Sequence, residues 1–465
     1  MDPTSAGFML ADSRNTPMHV GGLQLYTLPD GAGPDYVRDM IASFMASEEV
    51  APLFIKRPFR SIATGGQWFW TEDGEFDLEH HVRHAALPQP GRIRELLDFV
   101  GRIHGNRLSF ERPLWEFYVI EGLEDGRIAT YTKMHHALVD GVSSMRLLQS
   151  ILSTDPDERD MPPPWASRKK AKRADKATQR LDEAIAEVPI SAFRTALGIA
   201  SDAAGMPSAF VKTLNRSLRN EPTSMSWFAP KTILNKNVTG ARRFAAEDWP
   251  IERIKAVGKA TGTSLNDVVL AMCGGALRTY LEEQDALPDV PLISMVPVGL
   301  KAKQAGVASA EGGNAVGSIM VKLGTHLEDP AERLQSIHND MRAGKEALSS
   351  MTQMQIIAMA AIGNTPTILT PMLRLQGIAR PPYNVVISNV PGPKQRMYLN
   401  GATLDGMYPV SIPINGIALN ITCTSYVDNL AFGFTGCRRT VPHLQRLLVH
   451  VENELEALEK AAAVA

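Results

Sequence analysis

Short strand-like runs alternate with amphipathic helical patterns in two separate stretches of the chain, the second of which begins near Lys231. In the first stretch, residues 21–28 and 127–136 carry the β-branched and aromatic side chains typical of strands, and residues 94–108 have the apolar spacing of a helix. This mixed order favours helices packed on sheets over an all-helical or all-strand fold. The sequence therefore predicts two α/β halves, each a sandwich of helices on a mixed sheet.

The two stretches are separated by a change in composition over residues 155–180. This segment begins with acidic residues and prolines, and then seven Lys or Arg residues against one Asp fall between positions 168 and 180. Such a segment is either a solvated linker or a patch attracted to anionic lipid headgroups or to the phosphates of CoA. We therefore predict an N-terminal half over residues 1–160, a linker with connecting helices over 161–230, and a C-terminal half over 231–465.

Helix ends are marked most clearly in the second stretch. Gly262 ends one helical pattern, and Ser264 is placed to cap a longer amphipathic helix over residues 264–284. Strand-like runs follow, and a helical pattern over residues 442–463 closes the chain. Residues 351–375 are rich in Met, Ile, Ala and Leu, and this composition suits either core packing or the lining of an apolar tunnel.

Composition excludes several classes of protein. A hydrophobic fraction of 44% and a net charge of −2 are those of a globular protein that is not built to neutralise nucleic acid. Three scattered cysteines argue against a disulfide framework, and the N-terminus lacks the pattern of a secretion signal. The most apolar stretch, residues 356–373, is interrupted by an Asn and two Pro before it reaches the roughly 20 residues that span a bilayer. We expect a cytoplasmic protein, with peripheral contact to the inner membrane or to lipid inclusions left open.

Two adjacent histidines, His135 and His136, open the segment HHALVDG between a predicted strand and a predicted helix. Neighbouring residues of a strand point to opposite faces, so these two rings are poorly placed to share one metal ion, and no HExxH or cysteine cluster supplies further ligands. A histidine that faces a cleft can instead take a proton from an alcohol as the alcohol attacks an acyl carbon. The segment therefore favours acid/base chemistry without a metal.

The remaining polar residues of the segment are expected to shape its loop. Asp140 is predicted to fix the loop through a salt bridge or turn, and Gly141 to allow a tight turn. A second histidine cluster, at His80, His81 and His84, lacks the Asp-Gly pair at the same spacing. We interpret that cluster as a polar group at the surface or at the edge of the core.

The segment HHALVDG matches the HHxxxDG motif of the CoA-dependent acyltransferase superfamily, and further segments resemble the bacterial wax ester synthase/diacylglycerol acyltransferase family. These segments occur in the family's order and cover nearly the whole chain: TPMHVGGLQLYTLP, RPLWEFYVIEGL, TGTSLNDVVLAMCGGALRTYL, YNVVISNVPGP and MYPVSIPINGIALNITCTSYVDNLAFGFTGC. The resemblance implies a chloramphenicol acetyltransferase-like fold, in which two similar mixed-sheet domains hold the active site at their interface. It also implies long-chain acyl transfer from acyl-CoA to a fatty alcohol, giving a wax ester, or to a diacylglycerol, giving a triacylglycerol.

The resemblance also assigns roles to residues of the motif. The second histidine, His136, corresponds to the general base, and His135 is its supporting neighbour. Asp140 is expected to hold the loop geometry, and Gly141 the turn. Acyl-CoA is the donor substrate, and neither a metal nor another cofactor is implied.

Two further motifs are left with alternative roles. Asn266 and Asp267 correspond to the family's Asn-Asp pair at the start of a long helix. There Asn266 either donates a hydrogen bond to a developing oxyanion or, with Asp267, caps the helix. Pro113, Leu114 and Trp115 correspond to a PLW motif that is either structural or part of an acyl pocket.

Three rival functions remain open from the sequence, and one of them is a metallohydrolase, which chelator-insensitive activity would exclude. Another is an acyltransferase of the same fold that uses a polyketide or carrier-bound acceptor. The third is a lipid-binding homologue without turnover, against which the intact HHALVDG segment argues. The sequence does not determine the oligomeric state.

Overall fold

The computed structural model describes residues 1, 3–62, 65–139, 141–166, 229–299, 316–351 and 380–464. Their α-helices are α1 (Pro3–Ala11), α2 (Tyr36–Met45), α3 (Pro52–Ile55), α4 (Leu78–His81), α5 (Ile93–His104), α6 (Gly141–Ser150), α7 (Ile251–Thr261), α8 (Leu265–Glu282), α9 (Pro330–Ser349) and α10 (Arg446–Ala461). Their strands are β1 (His19–Thr27), β2 (Lys56–Phe59), β3 (Phe69–Glu72), β4 (Val82–Ala86), β5 (Trp115–Glu121), β6 (Ile128–His135), β7 (Arg242–Pro250), β8 (Ile293–Gly299), β9 (Val316–Lys322), β10 (Val385–Val390), β11 (Tyr398–Leu399), β12 (Ala402–Val410), β13 (Leu419–Tyr426) and β14 (Asn429–Cys437).

The first large sheet has the strand order β11-β12-β1-β6-β5-β4. At its centre β1 pairs antiparallel with β6, so that His19 lies opposite His135. Helix α5 covers one face of this pair, where Leu96 and Val100 join the buried cluster around Leu23. Helix α6 packs so closely on the other face that a Cβ atom at Gly22 would lie 2.5 Å from the side chain of Leu148.

The second large sheet has the strand order β7-β14-β13-β10-β8-β9. Helix α8 is buried along residues 267–277 and packs against α9 and α10. As the sequence predicts, Ser264 caps α8, and the helix before it ends at Gly262 in the left-handed conformation, with φ of 70°. The apolar core of this half therefore forms around α8.

Two strands cross from the C-terminal half into the first sheet. Strands β11 and β12 follow β10 of the second sheet in the chain, but β12 pairs antiparallel with β1. The two sheets touch where a Cβ atom at Gly433 of β14 would lie only 1.9 Å from Pro409 O of β12. Residues 398–410, which lie within the predicted C-terminal half, therefore complete the sheet that carries the HHALVDG segment.

The predicted helices and strands quoted above are found within a few residues of their expected ends, wherever the structure describes them. The core of the first sheet also extends into the start of the predicted linker. Trp165 is fully buried there, with its ring 5.8 Å from that of Trp115. The basic segment and nearly all of residues 351–375 lie outside the described residues. Among the residues that are described, no helix is long and apolar enough to cross a membrane.

Candidate functional site

The paired histidines lie at the end of β6, where hydrogen bonds hold their backbone from both sides. His135 N donates to Leu114 O at 3.0 Å, and His136 N donates to Met18 O at 2.8 Å. Leu138 N then donates back to His135 O at 2.9 Å and turns the chain toward α6, which begins at Gly141. Asp140 lies outside the described residues, so its role in fixing the loop stays a prediction.

The ring of His135 is buried inside the first half. Its Nδ1 accepts a hydrogen bond from Ala137 N at 3.1 Å, and this assigns the ring proton to Nε2 in the neutral form. Nε2 lies 3.3 Å from Asp12 Oδ2, and the ring of Phe110 packs edge-on at 5.9 Å. An acceptor alcohol therefore has no direct route to this ring, which is fully excluded from solvent.

The ring of His136 has a different environment. It is half-buried and stacks on Phe8 of α1, with centroids 4.1 Å apart and planes inclined by 20°. Its backbone N–H is bonded to Met18, directly before β1, and its ring contacts α1. Of the two histidines, His136 is the one that a ligand can reach.

Asp12 connects the two histidines, and no sequence motif marks this residue. Its side chain is 1% exposed, and its Oδ1 accepts from Arg107 Nε. Its Oδ2 accepts from Met18 N at 2.9 Å and also faces His135. The backbone of Met18 is therefore held on both sides, with its N–H bonded to the Asp12 carboxylate and its C=O bonded to His136 N–H.

A buried polar layer continues below His135 on the same face of β1 and β6. His19 Nε2 donates to His104 O at 2.7 Å, and His104 Nε2 donates to Ser411 O at 2.8 Å. His104 Nδ1 therefore accepts from Tyr131 Oη, at 2.6 Å. Burial lowers the pKa of His104 to about 3 and that of His19 well below its ordinary value, so both rings are neutral at pH 7.

One charged pair lies in the same layer. The ammonium group of Lys133 is buried on β6, 2.7 Å from a carboxylate oxygen of Glu116, and it also donates to the carbonyls of Ile103 and Asn106. Burial lowers the pKa of Lys133, while Glu116 opposes that shift. These bonds join α5 to β6 and make the buried polar layer next to His135 rigid.

Asn266 and Asp267 differ in environment although they are adjacent in the first turn of α8. Asn389 Nδ2 of β10 donates to Asn266 Oδ1 at 2.7 Å, which leaves Nδ2 as the end of the Asn266 amide that can donate to a ligand. Asp267 is buried and forms a capping box with Ser264, and its Oδ2 lies 2.8 Å from His338 Nδ1. Asp267 thus completes the hydrogen bonding at the N-terminus of α8 and connects that end of the helix to α9.

The residues of the PLW segment lie in the core of the first sheet. Leu114 and Trp115 are at most 1% exposed, and Trp115 Nε1 donates to Phe54 O at 2.8 Å. The carbonyl of Leu114 accepts from His135 N, so the segment supports the motif through its backbone. Pro113 is also buried, directly before them.

The second histidine cluster lies at the edge of the core and at the surface. His81 is buried, stacks on Trp115 at 4.6 Å and donates from Nδ1 to the Trp115 carbonyl at 2.8 Å. His84 pairs with Glu121 in an exposed position. Across the part of the chain that the structure describes, no group of three or more His, Cys, Asp or Glu residues is arranged to hold a metal ion.

Contacts between the halves bring the two motif regions toward each other. Helix α6, which follows the HHALVDG segment, contacts β10, the strand that carries Asn389. Asn389 in turn holds Asn266 at the positive end of α8. The structure thus connects the helix that follows the reachable histidine to the strand that orients the Asn266 amide. A histidine base and an amide donor are together suited to proton removal beside a developing negative charge.

Comparison with known proteins gives matches along the whole chain. The model of the wax ester synthase/diacylglycerol acyltransferase catalytic domain matches residues 1–269, and that of the C-terminal domain of the same family matches residues 312–459. A Mycobacterium tuberculosis protein named as a diacylglycerol O-acyltransferase is 45% identical over 464 residues, which cover 100% of both chains. A second one from that organism is 44% identical over 466 residues, covering 100% of this chain and 99% of the relative.

Solved structures give the same result for the fold. The wax ester synthase/diacylglycerol acyltransferase from Marinobacter aquaeolei VT8 is 42% identical and has a TM-score of 0.75, with 100% of this chain and 99% of that chain covered. The starter condensation domain of rhizomide synthetase, only 12% identical, has a TM-score of 0.57 over 100% of this chain and 94% of that chain. The expected chloramphenicol acetyltransferase-like fold of two sheet-containing domains is thereby confirmed.

Proposed function

The chain belongs to the wax ester synthase/diacylglycerol acyltransferase family, and from this premise we propose that it transfers a long-chain acyl group from acyl-CoA to a fatty alcohol or a diacylglycerol. We assign the general base to His136. The observation that carries this assignment is the contrast between the two rings: His135 is fully buried against Asp12, whereas His136 is half-buried and reachable.

The chemistry needs one proton acceptor and one stabilised oxyanion. A ring nitrogen of His136 takes the hydroxyl proton as the alcohol oxygen bonds to the thioester carbonyl carbon. The carbonyl oxygen becomes an oxyanion, and Asn266 Nδ2 at the start of α8 is the amide donor that we assign to it. When the tetrahedral intermediate collapses, the C–S bond breaks and the CoA thiolate takes the proton back from His136.

Release of free CoA tests this function directly. We expect purified protein with palmitoyl-CoA to release thiol when hexadecanol or a diacylglycerol is added. Replacement of His136 by Ala is expected to lower the rate by about a hundred- to ten-thousandfold, the usual contribution of a general base. Full activity of His136→Ala in a folded protein would overturn the assignment of the base.

A panel of acceptors separates this function from its rivals. Poor thiol release with every long-chain alcohol and diacylglycerol, but rapid release with a carrier-bound or polyketide hydroxyl, would instead support an acyltransferase of the same fold with another acceptor. Binding of palmitoyl-CoA without release in the presence of any acceptor would support a lipid-binding protein without turnover. The same panel measures the balance between wax ester and triacylglycerol synthesis.

A further inference from the structure

Helix α1 packs against the HHALVDG segment. Its sequence from Pro3 to Ala11 contains no charged side chain, and its Phe8 is the residue that stacks on His136. The two ring centres are 4.1 Å apart and the planes are inclined by 20°, so the face of the phenyl ring lies against the face of the imidazole. Phe8 is therefore in direct contact with the ring that we assign as the general base.

Contacts on both sides of Phe8 fix this helix in place. Before Phe8 in the chain, Ser5 Oγ donates a hydrogen bond to Ala137 O at 3.0 Å. The residue after it, Met9, is 2% exposed and belongs to a buried cluster that includes Ala137. Beyond the helix end, Asp12 N donates to Phe8 O at 3.0 Å. The fold itself therefore holds the phenyl ring against His136.

A stacked phenyl ring distinguishes between the two charge states of a histidine. The face of the ring carries negative potential, and a cation within about 6 Å of the ring centre is attracted to it. Neutral imidazole gains little from this attraction, whereas imidazolium gains more where the position is half-buried and water solvates the charge incompletely. The arrangement differs for His135, since the Phe110 ring meets it at 5.9 Å with the planes inclined by 82°.

We propose that Phe8 is a positioning residue that stabilises the imidazolium form of His136 during acyl transfer. The inference rests on the proposed function, in which an N–H bond forms on the His136 ring as the alcohol loses its proton. That bond breaks again when the CoA thiolate takes the proton. Between these two steps the ring is positively charged, and the phenyl face lowers the energy of this charged state without making or breaking a bond.

Ionisable groups around the segment also influence the charge of His136, so the test must hold them constant. On the surrounding elements these groups are Asp12 after α1, Arg107 after α5, His19 on β1, Lys133 and His135 on β6, Arg146 on α6, and Asp140, which lies outside the described residues. Fluorine in place of ring hydrogens at Phe8 leaves all of these charges unchanged. It withdraws electrons from the phenyl face and hardly alters the shape of the ring, so it separates the effect of the face from the effect of packing.

Titration of His136 by nuclear magnetic resonance tests the proposal on the full chain without any turnover. Histidine rings labelled with carbon-13 are followed from about pH 5 to pH 9, the range in which histidine changes charge, and the His136 signal is the one absent from His136→Ala. One series carries phenylalanine with no, one, two or three ring fluorines at position 8. A second series contains Phe8→Leu, which removes the aromatic face, and Phe8→Tyr, which keeps it. Leu10→Ala is the matched control, since Leu10 is a largely exposed residue of the same helix.

We expect the pKa of His136 to fall stepwise as fluorines are added at position 8. In Phe8→Leu it should fall by about 0.3 to 0.7, which is a two- to fivefold loss of proton affinity, whereas Phe8→Tyr and Leu10→Ala should leave it nearly unchanged. Thiol release from palmitoyl-CoA should follow the same order, with kcat about two- to fivefold lower in Phe8→Leu. The acid limb of the pH profile of kcat/KM should move to lower pH together with the pKa of His136.

A pKa of His136 that stays constant across the fluorine series would overturn the proposal and leave Phe8 a packing role only. The proposal would also be overturned if kcat stayed at the wild-type level while the pKa fell. If the wild-type chain releases no thiol with any acceptor but the pKa still follows the fluorines, the proposed function fails and stabilisation of the imidazolium by Phe8 is supported. Should Phe8→Leu fail to fold by circular dichroism, the fluorinated chains retain the shape of the ring and decide the question alone.

Discussion

Asp12 Oδ2 lies 3.3 Å from His135 Nε2, and both side chains are almost completely excluded from solvent. The same oxygen accepts from Met18 N, whose own carbonyl accepts from His136 N. Asp12 therefore lies against the ring of the buried histidine and is connected to the backbone of the reachable histidine through Met18. We therefore expect Asp12 to act as a positioning residue for His136 in the proposed reaction.

Replacement of Asp12 by Asn is expected to lower kcat roughly tenfold, since an amide puts an N–H where the carboxylate now accepts from donors that include Arg107 and Met18. The KM for palmitoyl-CoA should change little, because Asp12 is buried away from solvent. Steady-state thiol release measures both constants. Asp12→Glu, which keeps the charge, should recover part of kcat, and the exposed Asp35→Asn serves as the control. Wild-type kcat in Asp12→Asn would contradict the positioning role.

Replacement of His135 should mainly lower stability, whereas replacement of His136 should mainly lower turnover. His135→Ala removes a fully buried ring and leaves the Asp12 carboxylate without it, so we expect the free energy of unfolding to fall by about 2 kcal/mol or more. His136→Ala removes a half-buried ring and should change stability by less than about 1 kcal/mol while thiol release is lost. Urea unfolding and thiol release on the same preparations measure both effects. Equal loss of stability in the two variants would contradict this division.

Much of this arrangement could be predicted from local sequence, and the rest depends on contacts between distant segments. The strand that ends at His135 and the cap at Ser264 follow from residue types and spacing, because period and capping chemistry are local properties. The pairing of β12 with β1 joins residues about 380 positions apart, and no local pattern specifies such a partner. Asp12 was missed for the same reason, since only the fold brings it to His135.

Asn266 has two alternative roles that kinetics can distinguish. Its side chain is half-buried and its amide oxygen is occupied by Asn389, so Asn266→Ala should cost only about 1 kcal/mol of stability. If its Nδ2 stabilises the oxyanion, kcat should fall about a hundredfold or more. Asn389→Ala removes the bond that orients the amide but keeps the amide itself, and a smaller loss of kcat is expected. Unchanged kcat in Asn266→Ala would leave the residue a purely structural role.

Replacement of Asp267 should lower stability and leave kcat nearly unchanged, the opposite of what we expect for Asn266. It accepts from Ser264 N in the capping box and contacts His338, so Asp267→Ala removes an N-terminal cap and a contact between α8 and α9. We expect a loss of about 2 kcal/mol in the free energy of unfolding. The kcat of the protein that remains folded should stay within a few fold of the wild type. A loss of kcat without a loss of stability would show that Asp267 takes part in the reaction.

Acid should unfold this protein by protonating histidines of the buried polar layer. Burial lowers the pKa of His104 from 6.5 to about 3, so between these values the unfolded chain binds a proton that the native His104 does not. The stability that depends on this neutral ring is fully present above pH 6.5 and is lost as the pH falls toward 3. The proton on His104 would also face Lys133 and Arg242, which lower the same pKa. Wild-type stability should therefore fall steeply between pH 6 and pH 4.5.

The variant His104→Gln isolates this contribution. Glutamine does not titrate, and its amide can still pair with Tyr131 and with the Ser411 carbonyl, the two partners of the His104 ring. We expect the slope of unfolding free energy against pH in this range to decrease by about 1.4 kcal/mol per pH unit relative to the wild type. Parallel slopes in the wild type and His104→Gln would mean that His104 is protonated in the native state, against the pKa that its burial implies.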